Sequence, residues 1–158
     1  MFQRFTERKI ISQALTTSLS AYTAFDNVGG KLTFSNTIPI HIGSGAIVGA
    51  RVFDLDSQIV PYELFLFDQD PSATTFTDNA AIDIADADLP KIAGIISFAT
   101  STRFSFADNS LHYVDGLYIP IKAQPEITTF YAALRTGTAG TPTYTSTSAL
   151  TVELFMEY

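Results

Sequence analysis

The run Tyr62-Glu63-Leu64-Phe65-Leu66-Phe67 constrains the fold more than any other stretch of the chain. Successive side chains of a β-strand point to opposite faces, and here both faces are apolar except at Glu63. Such a strand must be covered on both sides, which predicts an interior place in a sheet. The preceding apolar run, Ile47 to Leu55, alternates less cleanly, with Val48 and Val52 on one side and Ile47, Phe53 and Leu55 on the other. Asp56-Ser57-Gln58 has the chemistry of a hairpin connection, and Pro61 sits where it removes no central ladder bond. A central hairpin of these two runs is therefore expected.

Other segments repeat the period of two. Leu150, Val152, Leu154 and Met156 point one way at the end of the chain, with Thr151, Glu153 and Glu157 opposite. Leu32, Phe34, Ile38, Ile40 and Ile42 share one parity, and so do Leu117, Ile119 and Ile121. Residues 10–24, rich in Thr and Ser, favour strand over helix, as do 94–98, 103–106 and 127–135. Asp26 to Gly30 reads as a turn, and 68–80 as a long loop. One short helix is expected at Asp86–Ile92, with an Asp to cap it, Pro90 in its first turn and Gly94 to end it. Eight to ten short strands predict an all-β fold, an antiparallel β-sandwich or jelly roll.

Composition then bounds the function. At 158 residues the chain is most simply one domain. A formal net charge of −7 argues against nucleic acid as a partner, since phosphate contact needs a basic stripe. No run of about 18 apolar residues marks a membrane helix, and the charged N-terminus lacks the apolar core of a secretory leader. A soluble domain with neither membrane nor nucleic-acid partner is expected. With no cysteine, neither a disulfide framework nor a thiolate metal site is possible.

Candidate chemistry is sparse. Asp54 and Asp56, Asp68 and Asp70, and Asp86 and Asp88, with Asp78 and Asp83 between them, have the oxygen ligands that Ca²⁺ takes but no EF-hand spacing. Turn and cap roles account for them better. His41 and His112 are the two histidines, and no serine stands in a nucleophile-elbow context. A paired-carboxylate glycosidase on a sandwich lacks the tryptophan platforms of a sugar cleft. The expectation is no enzyme, no cofactor and no metal, hence no catalytic residues. Charge is segregated instead: Arg4, Arg8 and Lys9 against Glu7 leave the first nine residues at +2, interleaved with Phe2 and Phe5. Phe2, Arg4, Phe5, Arg8 and Lys9 are the candidate interaction residues. They belong to an N-terminal arm, residues 1–13, preceding a single sandwich domain over 14–158.

At LFLFDQDPSATTFTDNAAIDIADADLPKIAGIISF and at YAALRTGTAGTPTYTSTSALTVELFMEY the chain resembles small virion structural proteins of tailed bacteriophages. The similarity covers about residues 15–158 and leaves residues 1–13 outside. It rests on an apolar strand ending in Phe-Asp, a Thr-rich loop ending Thr77-Asp78-Asn79-Ala80, an Asp-Ala-Asp-Leu helix start and a late Thr/Ser run. The resemblance implies a virion component, best a capsid decoration (cement) protein. Its partners would be the major capsid protein and other copies of itself, as a homotrimer before a homodimer. It would sit on the virion surface, after assembly in the host cytoplasm. A neck, tail or head-fibre component is the alternative within that class, and a carbohydrate-binding module the alternative outside it.

Overall fold

The computed structural model describes residues 7–35, 37, 44–122 and 129–158. Among them ten strands form: β1 (Arg8–Ala14), β2 (Asn27–Phe34), β3 (Ser44–Asp54), β4 (Tyr62–Phe67), β5 (Ile92–Phe98), β6 (Arg103–Ser105), β7 (Ser110–Val114), β8 (Ile119–Lys122), β9 (Phe130–Thr136) and β10 (Leu150–Glu157). Two sheets face each other. The first has the order β1-β10-β3-β7-β6, with β8 beside the start of β3, and the second the order β2-β9-β4-β5. All the pairings are antiparallel, so the fold is an antiparallel β-sandwich.

The period-two pattern explains the first sheet. β10 alternates along its whole length, burying Leu150, Val152, Leu154 and Met156, and lies between β1 and β3. β3 carries one irregularity: its register against β10 shifts between Phe155 and Met156, so Gly49 faces Phe155 while Ile47 faces Met156. The extra residue, Val48, switches parity. That is why Ile47 and Val52 are both buried although their spacing in the sequence puts them on opposite sides.

The second sheet is buried twice over. Tyr62, Leu64 and Leu66 of β4 point into the core between the sheets, whereas Phe65 and Phe67 point outward and are buried all the same. Their cover is the segment from 68 to 91. Phe76, Ile82 and Ile84 from this strap, with Ile92 and Tyr131, pack on Phe65, Phe67 and Ala133. Backbone bonds close the strap at its base, from Asp68 N–H to the Lys91 carbonyl at 3.1 Å. Further bonds tie its middle to β2, from Asn27 N–H to the Ala80 carbonyl at 2.8 Å and from Asn79 N–H to the Asn27 carbonyl at 2.9 Å. The Asp78 carboxylate accepts from Gly29 N–H at 2.7 Å and from the Tyr22 hydroxyl at 2.8 Å.

Several expectations change. The central hairpin does not form: β3 belongs to the first sheet and β4 to the second, so Asp56-Ser57-Gln58 lies in a crossover between sheets. Three features hold it there: a left-handed Ser57 (φ 52°), Asp54 accepting from the Asp56 and Gln58 N–H groups, and Arg103 donating to the Ser57 and Gln58 carbonyls. The helix at Asp86–Ile92 is a single 3₁₀ turn, Leu89–Lys91. Asp88, at its cap position, points its side chain back into the strap, and Gly94 lies inside β5. Residues 10–24 are strand only as far as Ala14. Asp26 to Gly30 opens β2, where Gly29 and Gly30 at φ 78° and 77° make a bulge in place of a turn. Ile38, Ile40, His41 and Ile42 lie outside the described residues.

Leu66→Ala is expected to destabilise the protein by about 2–5 kcal/mol in chemical denaturation, because no part of Leu66 reaches solvent. Asp78→Ala orphans two donors under the strap and is expected to remove about 1–3 kcal/mol. Amide exchange over residues 76–84 should speed up in that variant while β10 stays protected.

Candidate docking surface

Among the described residues no strap covers the outer face of the first sheet. Cross-strand register sets out its residues in rows: Ile10 with Phe155 and Gly49, then Ser12 with Glu153, Arg51 and Tyr113, then Ala14 with Thr151, Phe53, Leu111 and Phe104. In the middle row Arg51 Nε donates to Glu153 Oε2 at 2.5 Å. Its guanidinium lies 4.9 Å from the Phe53 ring and 5.2 Å from that of Phe155. Tyr113 stands beside Phe155 with ring centroids 6.0 Å apart. Gly49 makes room for this arrangement, since a Cβ there would come within 2.7 Å of Phe155 Cδ2. Arginine pairing with a carboxylate while stacking on rings gives a stiff centre to this face.

The second sheet repeats the device under its strap. Arg135 Nε donates to Glu63 Oε2 at 2.7 Å, with the guanidinium 4.9 Å from the Phe25 ring and 4.8 Å from that of Phe65. There Phe65 lies under the strap, while the two ion pairs are similarly half-buried, Arg51 and Glu153 at 30% and 17% exposed and Arg135 and Glu63 at 25% and 31%.

At the β1 side of the bare face a groove of about 610 Å³ opens. Arg8, Ile10, Tyr113, Asp115, Phe155 and Glu157 are among the residues that line it. Arg8 Nε donates to Glu157 Oε1 at 2.5 Å, and Lys9, the next residue of β1, also borders the groove. Of the candidate interaction residues, Arg8 and Lys9 thus stand in a strand. Phe2, Arg4 and Phe5 lie outside the described residues. Arg8 to Ala14 pair with β10 at every position, so the stretch expected as an arm is sheet from Arg8 onward. Sequence reasoning missed Ile10, Arg51, Tyr113 and Phe155. Parity was the available signal: Phe155 falls on the outward set of the last strand together with Glu153 and Glu157.

Several of the aspartates have individual structural partners. Asp56 accepts from Thr145 N–H at 2.8 Å and from the Thr145 hydroxyl at 2.6 Å, and Asp70 pairs with Lys31 at 2.6 Å. Asp88, fully buried, accepts from Ala73 N–H and the Thr74 hydroxyl and pairs with Lys91 at 2.7 Å. Burial opposes its charge, but the bonds from Lys91 and Thr74 outweigh that and hold its carboxyl below the usual carboxylate range. Among the described residues no three His, Asp or Glu side chains converge in a way that could hold a metal ion.

Asp54, Ser110 and His112 all face inward from neighbouring strands, Asp54 directly opposite Ser110. All three are buried, so although the side-chain types suit nucleophilic chemistry, no substrate reaches them. His112 packs edge-on against Tyr62 and Phe98, and neither ring nitrogen has a hydrogen-bond partner. Burial, reinforced by the nearby Arg103 charge, pushes its pKa down to about 4, so the ring is neutral at pH 7. Burial likewise raises the pKa of Asp54.

The depressed His112 pKa gives a stability contribution that is present above pH 6.5 and lost as pH falls toward 4, where the unfolded chain binds a proton that the folded chain refuses. His112→Leu removes that proton uptake. The stability lost between pH 7 and pH 4 is expected to be smaller in the variant than in the wild type by up to about 3 kcal/mol, measured by urea unfolding at each pH.

No family model matches the chain, and no curated protein matches it in sequence. Among solved structures it is similar to the VP2 subviral particle of infectious bursal disease virus, at 16% identity and a TM-score of 0.45, over 98% of this chain. The chain spans 33% of the length of that protein. It is also similar to the empty head of turnip yellow mosaic virus, at 8% identity and a TM-score of 0.32, over 99% of this chain and 82% of the other. A third similarity is to desmodium yellow mottle tymovirus, at 11% identity and a TM-score of 0.29, over 99% and 89% of the two chains.

Proposed function

We propose that this chain is a virion structural protein, a decoration or cement subunit that binds the outside of a bacteriophage head and stabilises its shell. The observation that carries this reading is the inequality of the two outer faces. One is roofed by the chain's own strap, while the other presents Ile10, Tyr113, Phe155, Phe53 and Phe104 around an arginine–carboxylate pair. A flat sheet face of that composition suits a broad protein partner better than a small substrate. The resemblance over residues 15–158 supports the same reading and names the partner class, the major capsid protein, with further copies of this chain as neighbours on the shell. A homotrimer is preferred to a homodimer. The protein acts without catalysis, away from membrane and nucleic acid, and is assembled in the host cytoplasm.

Docking on the shell uses the β1 side of the bare face. Arg8 and Lys9 border the groove there, and Phe2, Arg4 and Phe5 precede them in the chain. The first nine residues carry +2 within a chain of −7, so this end is drawn toward acidic protein surface, and aromatic anchors supply affinity that screened charge does not. A carbohydrate-binding reading has one observation in its favour, the partly exposed Tyr113 beside Asp115 and Glu157 in the groove.

Deletion of residues 1–6 combined with Arg8→Glu and Lys9→Glu tests the docking. Circular dichroism should stay that of a β-protein, and co-sedimentation with undecorated heads is expected to weaken at least about tenfold. Undiminished binding by this variant would remove the N-terminal residues from the interface. Absence of the protein from purified virions by mass spectrometry, together with binding on a glycan array, would replace the virion reading with the carbohydrate one.

A further inference from the structure

The bare face is not uniform, and its two sides differ in charge. The β1 side holds Arg8, Lys9, Asp115 and Glu157 around the groove. The β6 side holds none in its outward positions. Register places Phe53 of β3, Leu111 of β7 and Phe104 of β6 side by side in one cross-strand row. Leu55, one step beyond β3, and Phe106, one step beyond β6, continue the same outward parity. Leu55, Phe104 and Phe106 are 60%, 56% and 60% exposed. Arg103 turns away from this patch, donating to Ser57 and Gln58 in the crossover, and Asp108 stands in the β6–β7 turn at its rim.

From this geometry we infer that the Phe53–Leu111–Phe104 row, with Leu55 and Phe106, is the contact between copies of this chain. Charge selects the occupant. Two copies, each at −7, repel over most of their surface, and this uncharged patch is where they approach with the least repulsion. Around a two-fold axis identical patches need only be complementary to themselves, and around a three-fold axis an apolar patch without fixed charges still meets its neighbour without like-charge contact.

Size agrees with that occupant. At roughly 150–250 Å² for a full phenylalanine side chain, the patch offers on the order of 400 Å² per copy. That is about half of the roughly 800 Å² per partner of a standard stable interface. Contact through the patch is therefore weak between free molecules and strong between molecules already held side by side, where effective concentrations reach the millimolar range. The inference is separable from shell binding: a monomer that binds heads overturns this inference alone, and self-association without head binding overturns only the docking proposal.

Sedimentation equilibrium from about 20 µM to about 1 mM tests it, with the concentrations chosen to span a weak interface. The wild type is expected to rise from 17.2 kDa toward a multiple of that mass, and the multiple reached separates a dimer from a trimer. The double variant Phe104→Ser, Phe106→Ser, both positions being exposed and outside the core, should keep its circular dichroism spectrum and stay at 17.2 kDa throughout. Ile10→Ser on the β1 side and Leu89→Ser on the 3₁₀ turn remove exposed apolar side chains elsewhere and should associate as the wild type does. A wild type that stays at 17.2 kDa at the highest concentration overturns the inference. So does a double variant that associates like the wild type, or a control that abolishes association equally.

Discussion

The double burial of β4 is the constraint on which the rest of the molecule depends. Leu64 and Leu66 belong to the core between the sheets, and Phe65 and Phe67 to a second, smaller core on the far side. A two-sheet sandwich covers only one of those faces. The chain supplies the missing layer by folding residues 68–91 back over the second sheet, which commits a long segment with no strand of its own to a structural task. Such a segment keeps its place only if its backbone and carboxylates find partners. The bonds of Asp78 to Gly29 and Tyr22, of Asp88 to Ala73 and Thr74, and of Asp70 to Lys31 are those partners. Asp70, Asp78 and Asp88 are thus accounted for by the geometry of a roof.

The two outer faces share a motif and differ in what lies above it. Each carries an arginine and a glutamate in direct cross-strand register, Arg51 with Glu153 and Arg135 with Glu63, and each arginine lies over two phenylalanines. A guanidinium is weakly hydrated and tolerates such a setting better than an ammonium does. On the second sheet the strap covers Phe65, one of the two rings beneath the arginine. On the first, no strap lies above the motif among the described residues, although the ion pair itself is as sheltered as its counterpart.

Much of the fold was legible because period two is a strong signal. β10, β9 and the interior position of β4 follow from their alternation or from their apolar runs. The pairing of β3 with β4 did not follow, because turn chemistry at Asp56-Ser57-Gln58 is the same for a hairpin and for a crossover. What separates them is the partner of Asp54 and Arg103, a contact across 45 residues between Arg103 and Gln58. The expected helix at Asp86–Ile92 is one 3₁₀ turn, where Asp88 turns its carboxylate to Ala73 N–H, the Thr74 hydroxyl and Lys91 and caps no backbone N–H of the turn. The candidate surface was legible only at its edge. Arg8 and Lys9 stood out by charge, whereas Tyr113, Phe155 and Phe104 gain their meaning from register, which brings residues distant in sequence into one row.

One feature at the edge of the first sheet bears on how the molecule tolerates rearrangement. Glu7 and Tyr158 exchange backbone hydrogen bonds, Glu7 N–H to the Tyr158 carbonyl at 3.1 Å and Tyr158 N–H to the Glu7 carbonyl at 3.2 Å. With residues 1–6 removed, a short linker between Glu7 and Tyr158 would close the backbone into a ring without disturbing the pairing of β1 with β10. New ends opened in the turn between β6 and β7 would then yield a permuted chain with the same strand neighbours. A passenger domain attached at residue 158 leaves from the corner where β1 begins, beside the groove, and stands on the opposite side of the sheet from the β6 edge.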